Sequence, residues 1–296
     1  MLDIHSTRDA SRRLFRRRRD HRGYSLTFEY APTAELRSRW GHGRPPHARL
    51  AAAFGARDAA FRSEVVDLAS YVDDLAAVPA TGVDGPEPCW INEWLVGLDT
   101  VSLYGYTRLR GPARYVEIGS GQSTKVVARA RRDAGVATHI TSIDPHPRAE
   151  VDALCDEIVR RPLELADLET VFDGLAAGDI VFFDGSHRVF PNSDCVAFFL
   201  DVLPELPPGV LVGIHDIYLP DDYPDTFLGA WWSEQYTLAA LLLAEPSWLR
   251  VVLPCFYVSG RPDVAAPLDG LWERPALAGV LRHGTTMWLA TQDAPR

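Results

Sequence analysis

Short apolar runs alternate with amphipathic stretches in the part of the chain beyond residue 113. This alternation is typical of a parallel β-sheet covered by helices on both faces. It predicts a Rossmann-like, doubly wound α/β fold with a seven-stranded sheet. The predicted strands are 114–118, 138–143, 156–160, 179–183, 209–214, 249–258 and 284–290, and the predicted helices are 123–134, 147–155, 165–176, 191–203 and 232–244.

Helical spacing of apolar residues also occurs before the sheet, over 48–75 and again over 90–109. A Pro/Gly-rich stretch at 79–88 separates the two. We therefore expect residues 1–46 to form an arm and loop, 47–110 a helical lid or dimerisation region, and 111–296 the α/β domain. Candidates to cover a ligand are Asn92, Trp94 and Tyr104, with core packing as the alternative for the two aromatics.

The first predicted strand of the sheet leads into a glycine turn. Its apolar run ends in Gly119 and Gly121, and small polar residues then lead into a helical pattern. Glycine lets a ligand approach the backbone closely, and the free N–H groups of a first helical turn favour an anionic group. The next predicted strand ends at Asp144, where a carboxylate can accept hydrogen bonds from a ribose diol. The pattern predicts a nucleotide-like ligand, with a plain β-to-α turn as the alternative.

Ionisable side chains follow the fourth and fifth predicted strands, where ligands of open parallel sheets bind. Asp184 and His187 follow the fourth strand, and His215 and Asp216 follow the fifth. Asp184, His215 and Asp216 are the expected ligands of a divalent cation, either Mg²⁺ or, because of the imidazole, Mn²⁺ or another first-row metal. His187 is the expected proton acceptor, because its ordinary pKa lies near neutrality. The alternatives are a turn-capping Asp184 and histidines that only hydrogen-bond in the core or loop.

Charge is distributed unevenly along the 296 residues. Residues 1–22 contain eight arginines against three aspartates, a balance of +5, so the net charge of −10 leaves −15 on the remainder. The acidic body argues against specific nucleic-acid binding, although the arm could touch acidic lipid or nucleic acid or remain solvated. The chain contains no secretory signal pattern and no apolar stretch long enough to span a bilayer. Its four cysteines are scattered along the sequence. We therefore expect a soluble cytoplasmic protein.

The stretch between about residues 90 and 235 resembles the class I S-adenosylmethionine-dependent methyltransferases, particularly a branch of bacterial small-molecule and sugar methyltransferases. The glycine turn and the strand ending at Asp144 are shared by the superfamily. Three later stretches, 179–187, 215–220 and 232–236, are more specific to the branch. The resemblance covers about half of the chain. It implies an antiparallel last strand near 285–289 and a methyltransferase domain over 111–296.

The resemblance also implies roles for individual residues. S-adenosylmethionine is the implied cofactor, a small molecule with a hydroxyl group is the implied methyl acceptor, and a homodimer is possible. The metal-dependent relatives usually have an acidic residue at the position of His215, which leaves a metal-independent enzyme with His187 or His215 as base as an alternative. The implied cofactor-binding residues are Glu117, Gly119, Ser120, Gly121, Ser123, Asp144 and Asp184; the expected catalytic residues are His187 and His215; and the expected acceptor-binding residues are Tyr218, Tyr223, Trp232, Glu234 and Gln235.

Two other classes of function also fit parts of the pattern. A nicotinamide-dependent oxidoreductase would use the same glycine turn and downstream acid, but Thr124 replaces the third small residue of its motif. A cofactor-binding partner protein without catalysis would have no chemical need for Asp184, His187 and Asp216.

Overall fold

The computed structural model describes residues 36–82, 85–147 and 150–293. Residues 1–35, which include the arginine-rich segment of the predicted arm, lie outside them. Within these ranges no helix has both the length and the apolar character that crossing a membrane requires.

A seven-stranded sheet forms the centre of the protein. Its strands are β1 (Arg114–Ile118), β2 (His139–Ile143), β3 (Glu157–Val159), β4 (Ile180–Phe183), β5 (Leu211–Ile214), β6 (Leu249–Pro254) and β7 (Met287–Thr291). They lie in the order β3-β2-β1-β4-β5-β7-β6. β1 to β5 are mutually parallel, and β7 runs antiparallel between β5 and β6. The predicted fold class is confirmed, including the antiparallel last strand.

Helices cover both faces of this sheet, and those between residues 48 and 110 precede its first strand in the chain. They are α1 (Ala48–Gly55), α2 (Asp58–Ala69), α3 (Val72–Ala76), α4 (Gly97–Arg110), α5 (Gln122–Ala134), α6 (Leu168–Phe172), α7 (Asp194–Ala197), α8 (Asp225–Leu228), α9 (Glu234–Leu243), α10 (Cys255–Ser259), α11 (Pro262–Ala265) and α12 (Asp269–Trp272). The predicted helix over 48–75 is thus three helices, and the pattern over 90–109 becomes helical only at Gly97.

Several predicted boundaries are wrong, each for a local reason. The predicted helix 147–155 has only a 3₁₀ turn at Asp152–Leu154 among its described residues, after a proline-rich segment that disfavours helix. The predicted strand 249–258 ends at Pro254, which has no N–H to continue the ladder, and α10 follows it. The predicted helix 165–176 shortens to α6, and 191–203 divides into α7, a π-turn and a 3₁₀ turn.

The helices that precede the sheet pack into the same core as the sheet. Phe61 and Leu68 of α2 are fully buried, as is Leu103 of α4. The ring of Tyr106 lies 5.0 Å from that of Trp288 on β7, in an edge-on arrangement. The lid or dimerisation role of 47–110 stays a prediction, as do the proposed domain boundaries.

The first described residues lie against the segment that follows β5. Both the backbone N–H and the hydroxyl of Ser38 donate to Asp225, each at 2.7 Å. The N–H of Arg39 donates to Asp222 at 2.7 Å, and the N–H of Asp222 donates to the carbonyl of Trp40 at 3.1 Å. Residues 38–40 therefore form a strap across this segment.

Candidate functional site

The glycine turn brings the ends of β1 and β4 into direct backbone contact. Gly119 has φ +80, and a Cβ on this residue would overlap the backbone oxygen of Asp184. The N–H of Asp184 in turn donates to the carbonyl of Ile118 at 2.8 Å. Gly121 differs, since a Cβ there would meet nothing within 4 Å. Gly119 is therefore required by the fold itself, whereas Gly121 faces open space.

Glu117 braces this turn from below. Its carboxylate is completely buried and accepts hydrogen bonds from Tyr115 at 3.0 Å and Thr124 at 2.5 Å. Thr124 also accepts from the N–H of Gly121 at 3.0 Å. Burial raises the pKa of Glu117 to about 7 against the opposing effect of these hydrogen bonds. Both oxygens of Glu117 are thus used within the protein, by Tyr115 on β1 and Thr124 on α5, and its predicted place beside a cofactor stays a prediction.

A small cleft of about 60 Å³ opens above the turn. Its volume corresponds to about two water molecules and is well below that of a typical ligand site. Trp94 and Leu95 cover it from the segment that precedes α4. The remaining lining residues are Ser120, Gly121, Gln122, Ser123 and Asp184.

Of the three predicted covering residues, only Trp94 lines this cleft. Asn92 holds the chain in a turn: its amide oxygen accepts from the N–H of Leu95 at 2.7 Å, and its nitrogen donates to Cys89 at 2.7 Å. Tyr104 belongs to the core, where its hydroxyl donates to Asp133 at 2.8 Å. Asn92 therefore sets the position of Trp94.

Asp144 stands beside the glycine turn at the end of β2. Its carboxylate accepts from the N–H of Ser120 at 2.9 Å and from the N–H of His146 at 2.7 Å. The hydroxyl of Ser142 also donates to that of Ser120 at 3.1 Å. The ends of β1 and β2 are thus linked at the place where the sequence predicts a ribose-binding carboxylate.

Three side chains from the ends of β4 and β5 converge next to this turn. Asp184, His187 and Asp216 each offer a ligand atom within 4.8 Å of the others, and we call them the acidic trio. Nε2 of His187 lies 3.5 Å from Asp184 and 3.7 Å from Asp216. His187 and Asp216 both adopt left-handed backbone conformations, with φ of 63° and 58°. Such conformations are uncommon for residues other than glycine and cluster at functional sites.

His215 lies on the other side of the same two carboxylates. Nδ1 faces Asp184 at 3.7 Å and Asp216 at 3.6 Å, and Nε2 faces Asp99 at 3.5 Å. The ring is buried, and neither nitrogen has a hydrogen-bond partner within the described part of the chain. Both imidazoles therefore stand beside Asp184 and Asp216 at similar distances, and the predicted ligand set of Asp184, His215 and Asp216 stays a prediction.

Asp99, which the sequence analysis did not select, completes this cluster. It belongs to the first turn of α4 and is fully buried, where it accepts hydrogen bonds from the N–H groups of Thr285 at 2.8 Å and Thr286 at 2.7 Å. The sequence offers one sign of this role, a charged residue within the helical pattern of apolar residues over 90–109, because the partners of Asp99 are distant in sequence.

The described site agrees with a family match. Residues 116–217, roughly a third of the chain, match a family model described as a methyltransferase domain. The match begins in β1, includes the glycine turn and the acidic trio, and ends just after β5. Residues 116–217 are therefore similar to a methyltransferase domain.

Solved structures that resemble this chain are distant in sequence. Methyltransferase PaMTH1 from Podospora anserina, bound to S-adenosylhomocysteine, has 16% identity over 66% of this chain and 79% of its own, with a TM-score of 0.40. An S-adenosylmethionine-dependent methyltransferase from Archaeoglobus fulgidus has 12% identity over 66% and 93%, with a TM-score of 0.33. MycE methyltransferase of the mycinamycin pathway, in complex with Mg and S-adenosylhomocysteine, has 18% identity over 60% and 44%, with a TM-score of 0.36. Comparison with curated proteins gives no match.

The N-terminus of α9 packs directly against His187 of the acidic trio. Glu234 is fully buried, and Oε1 lies 2.6 Å from Nδ1 of His187. The neighbouring Gln235 accepts from the N–H of Tyr218 at 2.9 Å. Consecutive residues of one helix therefore bind the segments that follow β4 and β5.

This packing places part of the predicted acceptor site inside the protein. Tyr223, Glu234 and Gln235 are fully buried and hydrogen-bonded internally, so they do not line an open pocket. Trp232 lies between His187 and Phe227, with ring centroids 4.1 Å and 4.5 Å away. Trp232 and Tyr218 retain partial exposure. The aromatic composition of this segment therefore reflects core packing more than an acceptor surface.

Electrostatics favour the protonated form of His187 in the metal-free protein. Burial lowers its pKa, but the carboxylates of Glu234, Asp216 and Asp184 outweigh that effect and raise the pKa to about 9. Burial likewise opposes protonation of His215, whereas Asp216, Asp184 and Asp99 raise its pKa well above the ordinary value. The surrounding carboxylates thus favour the protonated form of both imidazoles.

The requirement for glycine at position 119 can be tested against position 121. Gly119→Ala should lower the free energy of unfolding by ~2 kcal/mol or more, because it adds left-handed strain and overlap with the backbone of Asp184. Gly121→Ala should have a clearly smaller effect, since its Cβ meets open space. Urea unfolding of both variants provides the measurement. Equal losses would contradict the close approach of β1 and β4.

The pKa of His187 predicts a pH dependence of stability. Because its pKa is raised from 6.5 to about 9, protonated His187 stabilises the metal-free fold below pH 6.5, and this contribution disappears as the pH rises through 9. Thermal unfolding in EDTA across this window should show a falling melting temperature. The fall should be smaller in His187→Gln. A wild-type melting temperature that does not change across the window would contradict the assigned environment.

Proposed function

We propose that this protein transfers a methyl group from S-adenosylmethionine to a hydroxyl group of a small molecule, such as a sugar or a natural product. The observation that carries the proposal is the adjacency of two sites. The backbone of Gly119 in the glycine turn contacts the backbone of Asp184, whose side chain belongs to the acidic trio. A donor held at the turn would therefore present its methyl group beside carboxylates and an imidazole, and such positioning supplies much of the catalysis in group transfer.

The donor would bind above the glycine turn. Ser120, Gly121 and Ser123 border the cleft, Asp184 closes one side, and Asp144 stands next to Ser120 to receive the ribose hydroxyls. Since the cleft measures only about 60 Å³, a nucleoside requires Trp94 and Leu95 to move outward. Burial of the donor under these residues would exclude water from the reacting methyl group.

The acidic trio fits a divalent cation by its chemistry. Two carboxylates with 24% and 20% side-chain exposure stand beside a buried imidazole, a set that suits Mg²⁺ or Mn²⁺. Asp184 and Asp216 would hold the ion, which would orient the acceptor oxygen and lower its pKa. Nε2 of His187 faces both carboxylates and is placed to receive the acceptor proton. Because the carboxylates raise the pKa of His187, their neutralisation would return this imidazole toward its basic form.

Donor specificity is tested by calorimetry with S-adenosylhomocysteine and NAD. We expect S-adenosylhomocysteine to bind and NAD not to bind. Asp144→Ala should weaken S-adenosylhomocysteine by about tenfold or more, because hydrogen bonds to a charged group are lost. Asp167→Ala, which removes an exposed helix-capping aspartate outside the cleft, is the matched control. Preferential binding of NAD would replace methyl transfer with an oxidoreductase function.

Metal and base roles are separated by three variants. Mn²⁺ affinity should fall at least about tenfold in Asp184→Asn and Asp216→Asn, since each removes a charged ligand. His187→Gln should retain most of the Mn²⁺ affinity but lose methyl transfer from labelled S-adenosylmethionine to acceptors found in a screen of hydroxylated small molecules. Loss of Mn²⁺ binding in His187→Gln would make His187 a ligand instead of the base. Unchanged Mn²⁺ affinity in both aspartate variants would remove the metal from the proposal.

A further inference from the structure

Glu234 occupies an unusual environment for a carboxylate. It is the first residue of α9, has no exposed surface, and its Oε1 lies 2.6 Å from Nδ1 of His187. Its second oxygen accepts a weak hydrogen bond from the thiol of Cys195 at 3.7 Å. Burial of a carboxylate is costly unless the group is paired and hydrogen-bonded. His187 supplies the charged partner, and the helix N-terminus adds a favourable dipole.

The surroundings of His187 are built from the same short segment. The ring of Trp232 packs 4.1 Å from the imidazole. The N–H of Ser233 donates to the carbonyl of His187 at 2.7 Å, and the hydroxyl of Ser233 accepts from the N–H of Val189 at 2.9 Å. Three consecutive residues, 232–234, therefore fix the ring face, the backbone and Nδ1 of one histidine.

This arrangement determines where the other ring nitrogen points. With Nδ1 donating to Glu234, Nε2 is directed at Asp184 and Asp216, at 3.5 Å and 3.7 Å. A carboxylate on one nitrogen of an imidazole fixes both the ring orientation and the position of the proton, which leaves the opposite nitrogen for chemistry or for a metal.

We infer that Glu234 is a positioning residue that acts through Nδ1 of His187 and holds Nε2 against the Asp184–Asp216 pair. The inference rests on the proposed function for its purpose, but the contact itself is independent of any ligand. It replaces the predicted role of Glu234 in acceptor binding, since a fully buried side chain has no surface to offer an acceptor.

The test follows the imidazole of His187 directly by nuclear magnetic resonance. Protein with ¹⁵N-labelled histidine is compared as wild type, Glu234→Gln and Glu234→Asp, with His187→Gln used to assign the signals. Glu245→Gln is the matched control, because it removes the same charge from the exposed pair with Arg49 just beyond the other end of α9. A melting temperature within a few degrees of wild type and a dispersed amide spectrum establish that each variant is folded.

In wild type we expect a slowly exchanging Nδ1 proton on His187. In both Glu234 variants this proton should exchange at least about tenfold faster, because a charge-assisted hydrogen bond is lost or lengthened. Glu234→Asp keeps the charge but shortens the side chain by one methylene, so a role based on charge alone would leave its signal nearly normal. Glu245→Gln should match wild type. An unchanged Nδ1 proton in both folded Glu234 variants would overturn the inference.

A second measurement connects the contact to the site. Addition of Mg²⁺ should shift the His187 ring signals of wild type and Glu245→Gln, and the shift should be reduced by at least half in the Glu234 variants because Nε2 no longer faces the two carboxylates. If wild type shows no Mg²⁺ response, the proposed metal role fails while the Nδ1 result still decides the inference. An equal Mg²⁺ response in wild type and both Glu234 variants would show that Glu234 does not hold Nε2 in place.

Discussion

The backbone contact between Gly119 and Asp184 is the constraint on which the site depends. Parallel strands β1 and β4 pair along the sheet, and the turn after β1 can approach the backbone of Asp184 because residue 119 has no side chain and accepts a left-handed conformation. Asp184 thereby belongs both to the border of the cleft above the glycine turn and to the acidic trio. The two sites share one wall, so a change in either strand end moves both.

Charge balance is the second organising element. Four carboxylates, from Asp99, Asp184, Asp216 and Glu234, surround two buried imidazoles. Asp99 and Glu234 belong to helices and are fully buried. Asp184 and Asp216 follow strands, and their side chains are partly exposed to solvent. The inner carboxylates thus compensate the imidazoles, and the outer pair is left to face a ligand. Burying so many ionisable groups is costly, which is consistent with a functional rather than a stabilising purpose.

The sequence predicted those features that depend on local pattern. β1 and α5 begin and end within a residue of their predicted bounds, because an apolar run, a glycine turn and a helical repeat are adjacent in the chain. The convergence of Asp184, His187 and Asp216 followed from the rule that parallel strands end at one edge. The presence of Asp99 in the site and the burial of the Glu234 side chain could not be predicted from local pattern. Each depends on how a helix packs against strand ends that are far away in sequence. The same limit applies to His187 and His215, because a position after a strand does not reveal which way a ring turns.

The strap formed by residues 38–40 has a consequence for any shortening of the chain. Ser38 and Arg39 are fastened to Asp225 and Asp222 in the segment that follows β5, the same strand end that carries Asp216. Removing the chain through residue 40 would release two aspartates from their backbone donors, and would thereby loosen the scaffold next to the strand end that carries Asp216.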